Sequence, residues 1–271
     1  MYITRYHSIP RHQIQRGKTI SLELECRVPY GSISLFAEEM YSKIDNIILE
    51  RDGSLDSSEG VEVVFSNKKY ELLKEEINIF SEIAKKYNVI AHNAGRGYGI
   101  HISISRKGWR LDNEKCAKIV MLIDNFREFF ELVGQRKGNQ FCVYGPPYEI
   151  YQYHISKINS RSKYCAVSFR DYDRIEFRFF RSNIRKERIF KCVETVISII
   201  EYIKTLKEEK KNNLEEYIKF IFRRNRRYEN LFNFLLEKEK IINYLINISE
   251  LNGLVTKELN KRKGISTEPL I

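Results

Sequence analysis

Nothing in this chain of 271 residues invites disulfide or zinc chemistry. Its five cysteines, Cys26, Cys116, Cys142, Cys165 and Cys192, are scattered, odd in number and never paired as CxxC. Buried free thiols in a reducing compartment are the expectation. Long apolar runs are missing as well. Charges interrupt every hydrophobic stretch short of the roughly 20 residues a membrane helix requires. Met1 to Arg16 is polar and holds no apolar signal core. The expectation is a soluble cytoplasmic protein with no membrane contact. Internal repeats and low-complexity linkers are absent too.

Positive charge is what the chain has in excess. A net charge of +11 and a pI near 9.3 favour acidic partners: nucleotide, nucleic acid, acidic peptide or anionic surface. Much of that charge is Lys mixed with Glu on expected helices, which suits a solvated surface equally well.

Periodicity predicts a strand over 19–28, a helix over 34–47, and short strands over 47–49 and 61–65. A helix is expected over 67–87 with Asn67 as its cap, then a strand over 100–105. Asp112 is expected to cap one long helix reaching about Val133. The stretch 134–162 is irregular, broken by Gly145-Pro146-Pro147. Strands over 164–169 and 174–180 flank the turn Asp171-Tyr172-Asp173 as a hairpin. From Arg185 the pattern is helical only, over 185–207, 214–222 and 228–248, followed by a frayed basic tail. The fold class is therefore α+β, with a main domain at 1–207 and a basic helical C-terminal extension at 208–271. That extension has enough apolar residues at helical spacing to pack on the domain.

Several strand-like runs carry residues that a core would reject. Leu22-Glu23-Leu24-Glu25 puts both acids on one face. Glu62 interrupts Val61-Glu62-Val63-Val64, and His101 interrupts Ile100-His101-Ile102. Arg174, Glu176 and Arg178 share a face of Arg174-Ile175-Glu176-Phe177-Arg178. An exposed sheet face tolerates alternating Glu, and alternating Arg and Glu can be a surface ladder of little energetic worth. A carboxylate on a packed face must instead be wet, paired or metal-bound. Carboxylates and a histidine converging on one sheet would suit magnesium or manganese.

In this order, Leu-Glu-Leu-Glu, Asp52-Gly53-Ser54-Leu55 with Gly60-Val61-Glu62-Val63-Val64, Gly99-Ile100-His101-Ile102-Ser103 and Arg174-Ile175-Glu176-Phe177-Arg178 resemble the amidoligases. These are carboxylate–amine ligases with a glutamine-synthetase-like catalytic domain. The resemblance covers about 20–200. It implies a curved antiparallel sheet backed by helices, whose concave face binds ATP and Mg2+ or Mn2+. By position, Glu25 and Glu62 would hold one metal, and Glu23, His101 and Glu176 the metal nearer the phosphates. Arg178 would stabilise the phosphoryl in transfer, with Arg174 beside it. Asp52 would orient the amine or a metal-bound water, and Arg136 would contact phosphate or the substrate carboxylate. The implied reaction joins an amino-acid or peptide-like carboxylate to an amine through an acyl phosphate.

Two features depart from the family pattern. Ser103 stands where the family often has a second histidine, and 134–162 matches poorly. Both leave open a degenerate member that keeps the fold as a structural or nucleic-acid-binding protein. The cluster Arg223, Arg224, Arg226 and Arg227, beside Phe220, Phe222 and Tyr228, is the feature that would contact nucleic acid. Its alternative is a solvated helix break. A metal-dependent nuclease would also explain acids with positive charge, but not the order of the motifs.

Overall fold

A computed structural model describes residues 3–5, 17–51, 55, 59–91, 97–146, 162–171, 173–207, 212–248 and 251–263. The chain runs β1 (Thr4–Arg5), β2 (Ile20–Arg27), a short 3-10 turn, α1 (Ile33–Lys43), β3 (Ile48–Arg51) and β4 (Gly60–Lys68). Next come α2 (Tyr70–Lys86), β5 (Gly99–Ser105), α3 (Arg106–Trp109), α4 (Asn113–Asn125) and α5 (Arg127–Gly134). The hairpin β6 (Val167–Asp171) and β7 (Arg174–Arg181) follows. The described chain finishes with α6 (Lys186–Thr205), α7 (Leu214–Phe222), α8 (Glu229–Leu235), α9 (Glu239–Ile246) and α10 (Asn252–Arg262).

The strands form one 7-stranded sheet in the order β1-β3-β4-β2-β5-β7-β6. Only β1 and β3 run parallel; the other neighbours are antiparallel. The fold is thus the expected α+β arrangement, an antiparallel sheet backed by helices with a helical C-terminal end.

Strand alternation gives the sheet two chemically distinct faces. On one, Ile20, Leu22, Leu24 and Cys26 of β2 lie among Val61, Val63, Ile100, Ile102, Ile175 and Phe177 in the hydrophobic core. The helices cover this face. Leu73, Ile77, Phe80, Ile83 and Ala84 are the buried stripe of α2, at helical spacing. The helix α6 is buried on nearly every side and packs against α2, α4, α7 and α8. C-terminal residues Tyr217, Phe220, Tyr228 and Phe234 belong to the same hydrophobic core as the sheet. Among the described residues, no helix is long and apolar enough to cross a membrane.

Local details differ from expectation. Asn67 is not the cap position of α2: β4 continues to Lys68, paired with Ile20, and α2 starts after the extended residue Lys69. Asp112 does cap a helix, accepting from Lys115 N at 2.8 Å. That helix ends at Asn125, however, because Phe126 leaves helical geometry (φ −113°, ψ 38°), and α5 starts anew. The run expected over 228–248 breaks between α8 and α9. The tail expected to fray holds α10, docked through buried Leu251 and Val255. Gly134 ends α5 where a Cβ would collide with the Phe179 carbonyl, so α5 and β7 meet backbone to backbone.

All five cysteines are free thiols; Cys165 is half-buried and the others are buried.

Candidate active site

The second face of the sheet is polar and still largely buried. Cross-strand register assembles it: Glu25 opposes Glu62, Glu62 opposes Glu50, and Glu23 opposes His101. Ser103 sits between Ser21 on β2 and Glu176 on β7, and Glu176 in turn opposes Ser168 on β6. Glu50, Glu62 and Glu176 are 0%, 1% and 4% exposed, so these are not the wet glutamates of an exposed sheet face.

His101 is the hinge of the arrangement. Its Nδ1 lies 3.6 Å from Glu23 Oε2 and its Nε2 lies 3.7 Å from Glu25 Oε1. Its Nε2 has no hydrogen-bond partner among the described residues, although the ring is 5% exposed. Ligand atoms of Glu23, His101 and Glu176 all lie within 4.8 Å of one another. That spacing and the oxygen–nitrogen donor set fit one hard divalent cation.

Two arginines face this cluster. Arg174 Nη2 is 3.4 Å from Glu176 Oε1 and its Nη1 is 3.8 Å from Glu23 Oε1. Arg178 Nη1 is 3.3 Å from Glu176 Oε2. Burial alone would lower the Arg178 pKa, but Glu176, Glu25 and Glu23 together outweigh it and hold the guanidinium above its ordinary value. The side chains of Arg174 and Arg178 keep 17% and 14% of their surface exposed, so they form the solvent-facing rim of the cluster.

The carboxylate field reaches through the sheet. Burial first, then the charges of Glu25 and Glu62, push the Cys26 thiol far above the ordinary cysteine range. Cys26 is therefore no nucleophile.

Gly99 fixes the edge of the site. Its N–H donates to Glu25 Oε2 at 2.6 Å, and a Cβ there would collide with the Arg136 guanidinium and approach His101 Nε2 at 3.2 Å. Arg136 is buried and donates from Nη1 to the Arg178 carbonyl (2.9 Å) and from Nη2 to the Gly97 carbonyl (3.1 Å). It braces β7 against the segment leading into β5.

The sheet thus brings Glu23, Glu25, His101, Glu176, Arg174 and Arg178 together, with Glu62 beside Glu25 and Arg136 at the edge. Asp52 lies outside the described residues. Glu50 was not among the sequence candidates; its signal was an acid between Leu49 and Arg51 in a strand expected to end one residue earlier. Ser103, the departure from the family pattern, is buried on the same face, and its hydroxyl has no hydrogen-bond partner among the described residues. The Arg223–Arg227 cluster is elsewhere, at the turn between α7 and α8. There Arg227 pairs with Glu201, Arg224 lies 3.9 Å over the Phe220 ring, and Arg223 and Arg226 are exposed.

No protein-family model and no curated protein matches this chain. Among solved structures it is similar to a chain in the crystal structure of the complex between the prokaryotic ubiquitin-like protein Pup and its ligase PafA. The TM-score is 0.44 with 11% identity, covering 93% of this chain and 70% of that one.

Proposed function

We propose that this chain is an ATP- and Mg2+-dependent carboxylate–amine ligase acting through an acyl phosphate. The observation that carries the reading is the convergence of Glu23, His101 and Glu176 within 4.8 Å, rimmed by Arg174 and Arg178. Glu23, His101 and Glu176 would hold a divalent cation, and Glu25 with Glu62 would hold a second. Bound there, the cations would neutralise the triphosphate and polarise the transferring phosphoryl group.

The chain's own residues supply the rest. A carboxylate is a poor electrophile, so transfer of the γ-phosphoryl group to it creates a leaving group that an amine can displace. Arg178, kept charged by its carboxylate neighbours, would meet the equatorial oxygens of the phosphoryl in flight. Arg174 would steady the same group while holding Glu176 in place. Arg136, committed to two carbonyls, would position β7 and hence Arg178. Asp52 would orient the amine. The substrate class is an amino-acid or peptide-like carboxylate with an amine, in keeping with the basic chain.

Calorimetric titration with a non-hydrolysable ATP analogue, with and without Mg2+, tests the reading. Magnesium-dependent binding that disappears in folded Glu62→Gln supports it. Wild type that is folded and binds no nucleotide overturns it.

A further inference from the structure

On the helical side of the molecule, the first turn of α2, the middle of α6 and the turn between α7 and α8 enclose a recess of ≈ 590 Å³. That volume suits a small ligand. None of its lining residues belongs to the carboxylate face described above.

Lys18, Lys69, Lys74 and Arg226 converge on this recess, and none of them forms an ion pair among the described residues. The acids that share the lining are mostly occupied. Glu201 accepts from Arg227 Nε at 2.9 Å and from the Tyr228 hydroxyl at 2.5 Å. Glu194, buried at the floor, accepts from Asn230 Nδ2 (2.7 Å), Leu231 N (2.8 Å) and the Tyr70 hydroxyl (3.3 Å). Burial raises the pKa of its carboxyl, against the opposing pull of those hydrogen bonds and of the Lys74 charge. Lys74 also lies in the field of Glu194 and Lys18 in that of Glu201, so with exposed Glu71 three carboxylates face five cations, Arg227 included, and the lining keeps an excess of positive charge.

Two of the ammonium groups are seated on aromatic rings. Lys18 Nζ lies 5.5 Å over Trp109 and Lys74 Nζ lies 4.6 Å over Tyr70. Such seating restrains long side chains before a ligand arrives. Like charges gathered around one cavity repel, and a multiply charged anion relieves that repulsion.

We propose that this recess binds a phosphate-rich small anion, supplied either as free polyphosphate or as the phosphate chain of a nucleotide. The site is separate from the carboxylate face and needs no metal.

Calorimetry in EDTA tests this, using inorganic tripolyphosphate in one arm and ATP in the other. EDTA removes the cation-dependent binding expected at the carboxylate face. Wild type is expected to bind tripolyphosphate with an affinity that falls steeply with salt. The double variant Lys74→Glu/Arg226→Glu should lose about tenfold or more, while Glu176→Gln keeps wild-type affinity. Lys74 is half-buried and Arg226 exposed, so the variant is expected to fold, and a melting curve checks it. Equal affinity for both anions assigns recognition to phosphate alone; tighter ATP binding adds a contact to the base. Absence of binding by wild type, or binding unchanged by the charge reversal, overturns the proposal.

Discussion

Glu176→Gln separates a cation-binding cluster from a purely structural ion network. Glu176 lies 3.3 Å from Arg178 and 3.4 Å from Arg174. At an effective dielectric of about 20, each attraction is worth about 5 kcal/mol before desolvation. Repulsion from Glu23, whose ligand atom is within 4.8 Å, removes at least 3 to 4 kcal/mol of that sum. Desolvation of each buried ion costs several kcal/mol more. Because Arg174 retains Glu23, the metal-free variant should lose only about 2 kcal/mol, or about 4–8 °C in Tm.

The decisive quantity is the response to a cation. At a hundredfold excess over its Kd, Mn2+ stabilises a native site by about 2.7 kcal/mol, or about 5–10 °C in a chain of this size. Replacing the carboxylate by an amide removes its charge and one of its two oxygen donors, leaving a neutral carbonyl oxygen as a weaker ligand. Scanning calorimetry of both proteins, with EDTA and then with graded Mn2+, should give a rise in wild type that is small or absent in the variant. Equal Mn2+-induced shifts in the two proteins would refute the assignment of Glu176 to a metal.

Three other perturbations probe the scaffold. Gly99→Ala forces a methyl into the Arg136 guanidinium. It should lower stability by about 1–3 kcal/mol and weaken magnesium-dependent nucleotide binding; an unchanged melting curve counts against the close approach. Phe130→Ala removes a ring that stacks on Tyr217 and meets Phe129 and Phe179 edge-on, linking α5, α7 and β7. A cost of about 3–5 kcal/mol is expected by denaturant titration. Lys191 is buried, donates to the Val133 carbonyl at 2.6 Å, and has its pKa lowered by desolvation. The unfolded chain therefore holds that proton more tightly than the native one. Native stability should rise as pH climbs toward the ordinary lysine pKa of about 10.4. Lys191→Met should flatten that part of the stability–pH curve, and curves that remain parallel would contradict the assignment.

Much of the sheet was legible because alternation is local. Leu22-Glu23-Leu24-Glu25 declares which side chains share a face before any partner strand is known. The pairings that build the site were less legible, because strands distant in sequence supply them. That Glu23 opposes His101, while Ser103 sits beside Glu176, depends on register along β5 and on the shift between Ile100 and Ile102. Glu50 escaped notice because β3 is too short to establish a period around it. The interruption at Phe126 had no proline or glycine to announce it, and apolar spacing continues across the break. Near α8, one basic run divides by tertiary context: Arg227 is spent on Glu201, Arg224 on a ring, and Arg226 turns toward the recess.

The central position of β2, between β4 and β5, has a consequence for how the chain finds its fold. A one-residue slip of this strand would drive Glu23 and Glu25 into the helix-covered core and lift Leu22 and Leu24 onto the polar face. Mispaired sheets are thereby penalised by the same acids that define the site. An insertion of one residue within β2 should abolish folding, whereas an insertion of two keeps the acids on their own side. The glutamates of β2 are, in this sense, a key that only the native sheet accepts.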